Sequence, residues 1–144
     1  ADRIEVIRGG TVSGRLIGGN LTTLVSLLGT PYDISWHNSI LLLEDIFEPL
    51  YRIDRMLTQL FHAGKLASLK GILLGYFSLG SDQDMLDKLR YTEAIWRRVA
   101  ELTETEHIPV WGNFPSGHYP KNMTVPIGAK ALMNSDSRMI TFFA

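Results

Sequence analysis

Two adjacent acids, Glu44 and Asp45, end the apolar run Ile40-Leu41-Leu42-Leu43, and a histidine, His118, sits in the loop Pro115-Ser116-Gly117-His118-Tyr119-Pro120-Lys121-Asn122. An acid where a buried strand emerges stands at the edge where open parallel sheets bind ligands. Taken alone, Glu44 and Asp45 are read more simply as polar residues closing a strand. His118 lies in a backbone stiffened by two prolines and a glycine, and ordered loops of that kind often carry function. Of the other histidines, His62 sits in the last turn of a helix, where the dipole favours a cation. His107 reads as a connector and His37 as a loop residue beside Trp36. Gly18-Gly19-Asn20 precedes a helix, and such an N-terminus offers backbone N–H groups to an anion. A tight turn into an Asn-capped helix is the plainer reading of the same residues.

Several chemistries lack their motifs. There is no cysteine, hence no disulfide, thiolate zinc site or cysteine nucleophile. The scattered histidines have no metal-ligand spacing, and neither a P-loop nor a G-x-G-x-x-G is present. No metal and no cofactor is expected. No G-x-S-x-G elbow presents a serine. Ser116 is only two positions from His118 in the same loop and is a poor candidate for a nucleophile.

The elements that must position these residues read as α/β. Arg3 to Val12 predicts two short strands around Gly9-Gly10. Leu21 to Leu28 predicts a helix stopped by Gly29 and Pro31. The run from Ile40 is a strand buried on both faces. Pro49 opens a helix with Leu50, Ile53, Leu57, Leu60 and Phe61 on its inner face and Gly64 at its end. Gly71 to Phe77 is a second continuous apolar strand, completing a βαβ unit. Ser81 and Asp84 fit a capping box. It precedes a long helix, Asp84 to Glu104, with Met85, Leu86, Leu89, Ile95, Val99 and Leu102 facing inward. Ile108 to Gly112 is strand-like, and Met123 to Met133 with Arg138 to Phe143 read as a terminal hairpin.

The 144 residues predict one domain, 1–144, large enough to bury a core unaided. The formal net charge of −1 gives no basic excess for nucleic acid or an anionic membrane surface. No apolar run approaches the roughly 20 residues of a membrane span, and the N-terminus shows no signal-peptide pattern.

Four blocks, in this order and spacing, resemble the C-terminal domain of the LD-carboxypeptidase family of serine peptidases: Gly14 to Leu21 (GRLIGGNL), Ile40 to Asp45 (ILLLED), Tyr51 to Leu60 (YRIDRMLTQL) and Gly117 to Gly128 (GHYPKNMTVPIG). That family includes muramoyltetrapeptide carboxypeptidases and the microcin C self-immunity protein. The resemblance implies a three-layer β/β/α swivelling domain with a βαβ core and terminal β-hairpins. It implies a Ser–His–Glu triad whose Glu falls on Glu44 and whose His falls on His118. It places Gly19 and Asn20 at the substrate, Asn20 toward its terminal carboxylate. The family's serine lies in a Gly-x-Ser-Asp turn of a preceding domain, and this sequence has no such turn. The chain is therefore expected to be a C-terminal half that needs an N-terminal domain as its partner, inactive alone. The implied reaction is cytoplasmic release of a terminal D-amino acid from a murein tetrapeptide in peptidoglycan recycling. Cleavage of a peptide–nucleotide antibiotic and a stand-alone binding domain are the alternatives. An interface left open by the missing domain makes self-association, into a homodimer, an expected outcome.

Overall fold

β2 (Thr11–Asn20), β3 (Ser39–Ile46), β4 (Gly71–Ser78) and β5 (Val110–Gly112) are parallel neighbours laid down in chain order. The links between them carry α1 (Leu21–Ser26), α2 (Leu50–His62) and α3 (Met85–Leu102). Parallel crossovers are right-handed, so strands that advance in one direction across a sheet send every helix to the same face. The computed structural model, which describes residues 3–80, 82–118 and 121–143, has that arrangement. All three helices pack into one cluster with Ile17, Leu41, Leu43, Ile72, Leu74 and Val110.

Antiparallel strands complete the sheet: β1 (Glu5–Arg8) beside β5, then β6 (Lys130–Asn134) and β7 (Met139–Phe143) beyond β2, in the order β1-β5-β4-β3-β2-β6-β7. The residues that alternate away from the helices, Leu16, Ile40, Leu42, Leu73, Trp111 and Met133, form a second core with Phe114. Val6 of β1 and Ile140 and Phe142 of β7 pack against that same cluster, although these strands are at opposite edges. The sheet therefore curls toward itself and supplies two β walls, with the helices as the third layer of an α/β fold. Ser135, between β6 and β7, joins the curl. Its hydroxyl accepts from the Gly10 N–H at 3.1 Å and from the Trp111 indole N–H at 2.9 Å.

The structure departs from the sequence reading in several places. Gly18 and Gly19 belong to β2, not to a turn, and α1 begins directly at Leu21 and ends at Ser26. β1 and β2 are consecutive but pair with different neighbours, so the β6–β7 pair is the terminal hairpin. Its first strand starts at Lys130; Met123 to Ala129 runs as irregular chain. Pro49 is the N-cap of α2, with Leu50 the first helical residue. Leu50 and Phe61 flank the buried stripe of Ile53, Met56, Leu57 and Leu60 and are exposed. Asp84 is the N-cap of α3, its carboxylate accepting from the Asp87 N–H at 2.8 Å. Ser81, its proposed capping-box partner, lies outside the described residues. Met85, Leu86 and Leu89 are exposed, not inward. They lie about 80–180° around the helix from Ile95, while Tyr91, Val99 and Leu102 share its buried face.

Arg8 ties the edge strand to the helix layer. Its guanidinium donates to the carbonyls of Ala100, Thr103 and Ile108 at 2.8, 3.2 and 3.1 Å, and to the Thr103 hydroxyl at 3.0 Å. These include carbonyls at the end of α3 that no further helical turn could satisfy. Arg8→Ala is expected to lower unfolding free energy by about 2 kcal/mol, read by urea denaturation, because a cation on several part-buried acceptors is lost.

Candidate active site

The parallel strands place three chain segments at one end of the sheet: Asn20 closes β2, Glu44 and Asp45 lie near the end of β3, and the chain leaving β5 arrives across β4. Two consecutive strand residues face opposite sides. Glu44 shares its side with Leu42 and the cavity below; Asp45 shares its side with Leu43 and the helices.

The arrival of His118 depends on β4. Between the pairs Leu43–Leu74 and Asp45–Phe77, β4 holds one more residue than β3, so Gly75 and Tyr76 together oppose Glu44. This is a β-bulge, which interrupts a ladder and re-aims its groups. The chain beyond β5 follows β4 upward: the Phe114 N–H donates to the Leu74 carbonyl at 2.9 Å, and the Tyr76 N–H donates to the Ser116 carbonyl at 2.9 Å. It passes so close that a Cβ on Gly75 would come within 2.5 Å of the Ser116 oxygen. Gly117 follows at φ +117, where a Cβ would sit 3.0 Å from Glu44 Cβ. Asn122 closes the loop, its amide donating to the Gly117 carbonyl at 2.7 Å.

This path brings His118 Nδ1 to 3.1 Å from Glu44 Oε2. The Glu44 side chain is only 12% exposed while that of His118 is 56% exposed. A shielded carboxylate facing Nδ1 favours the tautomer with the proton there. That leaves Nε2, on an accessible ring, as the nitrogen able to take a proton from a third group. Among the described residues no serine hydroxyl forms a hydrogen bond with this ring. A cavity of about 420 Å³ opens beside the pair, lined by Gly18, Gly19 and Leu42 on one side and by Ser116, Val125 and Ile127 on the other. A Cβ at Gly18 would overlap the Leu42 carbonyl, so the floor admits no side chain there.

Asn20 is placed differently from Gly19. It is not among the cavity-lining residues. Its Nδ2 donates to Glu44 Oε1 at 3.4 Å and Asp45 Oδ1 at 3.1 Å, and its Oδ1 accepts from the Thr23 N–H at 3.0 Å as the N-cap of α1. Asp45, which sequence reasoning left as a strand-end polar residue, is 4% exposed and accepts from the Thr22 N–H and hydroxyl at 2.9 and 2.6 Å. Tyr91 stands on the helix side of Asp45. Its hydroxyl donates to the Glu48 carbonyl, and its pKa is pushed up to about 12 by burial first, then by the charges of Asp45 and Glu48. Gly75 could have been found in the sequence, since an isolated glycine inside an apolar strand signals a bulge or a close approach. His37, His62 and His107 form no part of the cavity wall, and the described residues contain no cluster suited to a metal ion.

Residues 13–133 match the model of the LD-carboxypeptidase C-terminal domain. The chain belongs to that family. It is 36% identical over 126 residues to the murein tetrapeptide carboxypeptidase of Pseudomonas aeruginosa, spanning 87% of this chain and 39% of that protein. The structure of a muramoyltetrapeptide carboxypeptidase from Oxalobacter formigenes superposes with a TM-score of 0.76 at 34% identity, over 96% of this chain and 47% of that one. The microcin C7 self-immunity protein in its wild-type apo state gives a TM-score of 0.81 at 25% identity, over 99% of this chain and 41% of that one. The chain thus spans about two fifths of the length of the curated relatives it matches.

Two outcomes follow from this geometry. Gly75→Ala is expected to displace the Ser116 carbonyl and lengthen the Glu44–His118 contact beyond hydrogen-bonding distance in a crystal structure, while the core clusters stay in place. Tyr91, with a folded pKa above that of a free tyrosine, adds stability that is fully present below about pH 10 and lost as pH rises through about 12. Tyr91→Phe should flatten that alkaline loss, measured by denaturation across this range.

Proposed function

We propose that this chain is the C-terminal catalytic half of a serine LD-carboxypeptidase that hydrolyses the L,D-amide releasing a terminal D-amino acid from a murein tetrapeptide in the cytoplasm. The observation that carries the reading is the His118 Nδ1–Glu44 Oε2 approach of 3.1 Å at the rim of a cavity, with the carboxylate shielded and the ring exposed. In this reading His118 is the general base and then the general acid. Glu44 holds its tautomer and stabilises the imidazolium formed when the serine proton arrives. The substrate's terminal D-residue lies in the cavity over Gly19 and Gly18, against Val125 and Ile127. The serine and its oxyanion donors come from a segment outside these 144 residues, and no cofactor takes part. The relatives named as murein peptidases support the substrate class; the likeness to the microcin C7 self-immunity protein fits peptide–nucleotide cleavage no better.

The test is release of D-alanine from murein tetrapeptide. The 144-residue chain alone should release none, because a base and its orienting acid have no nucleophile to activate. Joined to the nucleophile-bearing half, it should cleave. In that protein His118→Ala should lower kcat by about 10⁴-fold or more, and Glu44→Gln by on the order of 10³–10⁴-fold through the wrong tautomer. His37, His62 and His107 substitutions should change it less than about tenfold, lacking contact with the reacting groups. Release by the bare chain that survives His118→Ala would overturn the assignment.

A further inference from the structure

Asp45 is a buried carboxylate that the proposed reaction does not use, yet one of its hydrogen bonds, from Asn20, leads to Glu44. Oδ2 accepts from the Thr22 N–H and hydroxyl, at the start of α1. Oδ1 accepts from its neighbour's Ile46 N–H at 2.8 Å and from Asn20 Nδ2 at 3.1 Å. Asn20 Nδ2 in turn donates to Glu44 Oε1, the oxygen not facing His118. A primary amide has two N–H donors and one oxygen. Here both donors have carboxylate acceptors, and the oxygen accepts from the Thr23 N–H and hydroxyl. Flipping this amide would point its oxygen at two carboxylates and its NH₂ at the donors of Thr23, so each partner enforces the same orientation.

We propose that Asp45 and Asn20 are positioning residues. Asp45, fixed to α1 through Thr22, holds the Asn20 amide so that it grips Glu44 Oε1 and leaves Oε2 alone to face His118 Nδ1. A carboxylate free to rotate would present either oxygen, and the imidazole would lose its fixed partner. Strand alternation explains why an amide is needed. Glu44 and Asp45 face opposite sides of β3, and Asn20, paired with Glu44 at the end of β2, is placed where one group spans both. This role for Asn20 differs from a grip on the substrate's carboxylate. It rests on the pairing of Glu44 with His118 assigned above.

The experiment reads that pairing without turnover. Ring-nitrogen NMR of the 144-residue chain, at a pH where the ring is neutral and with its signals assigned by loss in His118→Ala, gives the ratio of the two neutral tautomers. The wild-type ring is expected to be mainly Nδ1–H. Asn20→Ser keeps a hydroxyl to cap α1 but removes the donor to Glu44, and should lower the Nδ1–H to Nε2–H ratio by about threefold or more, since the tautomer follows the hydrogen bond made by the other nitrogen. Asp45→Asn should lower it similarly, and the double variant little further, since contacts in one network are not additive. If Asp45→Asn fails to fold by its amide spectrum, Asn20→Ser decides alone. An unchanged ratio in Asn20→Ser, or in a folded Asp45→Asn, overturns the proposal. So does a wild-type ring without the Nδ1–H preference. No outcome here bears on D-alanine release, so failure of the peptidase reading and failure of this one are separately visible.

Discussion

The site depends on a crossing with no room for a side chain. The chain leaving β5 must pass over β4 to bring His118 onto β3, and it does so across Gly75 and lands on Glu44 through Gly117. Both glycines are needed for space, and Gly117 also for its φ of +117. The bulge in β4 is the complementary half of this constraint. By setting two residues against Glu44, it frees the Tyr76 N–H from the regular ladder and gives it to the Ser116 carbonyl, two residues ahead of His118. A loop histidine held only by its own side chain would sample many positions. This one inherits its position from a backbone hydrogen bond to the central sheet.

The rest of the fold follows from strand order. Four parallel strands added in one direction put all three helices on one face. The other face has to be closed without helices, and the curl of the sheet closes it, with Trp111 and Phe114 filling the interior. Phe114 therefore has two tasks. Fully buried, it anchors the start of the loop to the second core, and its N–H continues the β4 ladder toward Gly75. Packing and site geometry are joined at that residue, because hydrophobic burial fixes one end of the segment that carries the histidine.

Much of this was legible in the sequence for physical reasons that can be named. Ile40 to Leu43 and Gly71 to Phe77 are continuous apolar runs because both faces of β3 and β4 are covered, and continuous runs admit few other readings. Glu44 and His118 were singled out by position and by family resemblance. Their 74-residue separation hides the contact from any local pattern. Legibility failed where one signal had two causes. Gly18-Gly19 reads as a turn because glycines usually mark one, but here both are strand residues, and the bareness of Gly18 lets β2 lie against Leu42. Met85, Leu86 and Leu89 recur at helical spacing yet form an outer stripe, and periodicity alone does not say which of two stripes is buried. Asp45 was passed over because burial of a charge is invisible until its partners, Thr22 and Asn20, are placed beside it.

That burial has a physical requirement that links the layers. A carboxylate 4% exposed is costly unless hydrogen bonds replace its water. Asp45 obtains them from an N–H at the start of α1, a hydroxyl, its neighbour's N–H and the Asn20 amide. The N-terminus of a helix carries positive partial charge that favours such an anion. The same end of β3 thus satisfies one acid through the helix layer and leaves the preceding one, Glu44, one oxygen for a histidine. Alternation along a single strand separates the acid held by α1 from the acid that faces the cavity. Exchanging their order would place the acid held by α1 over the cavity and the acid that faces His118 against α1. The pair is ordered by the pleat, and the sequence Glu-Asp at this strand end carries more structural information than two interchangeable charges would.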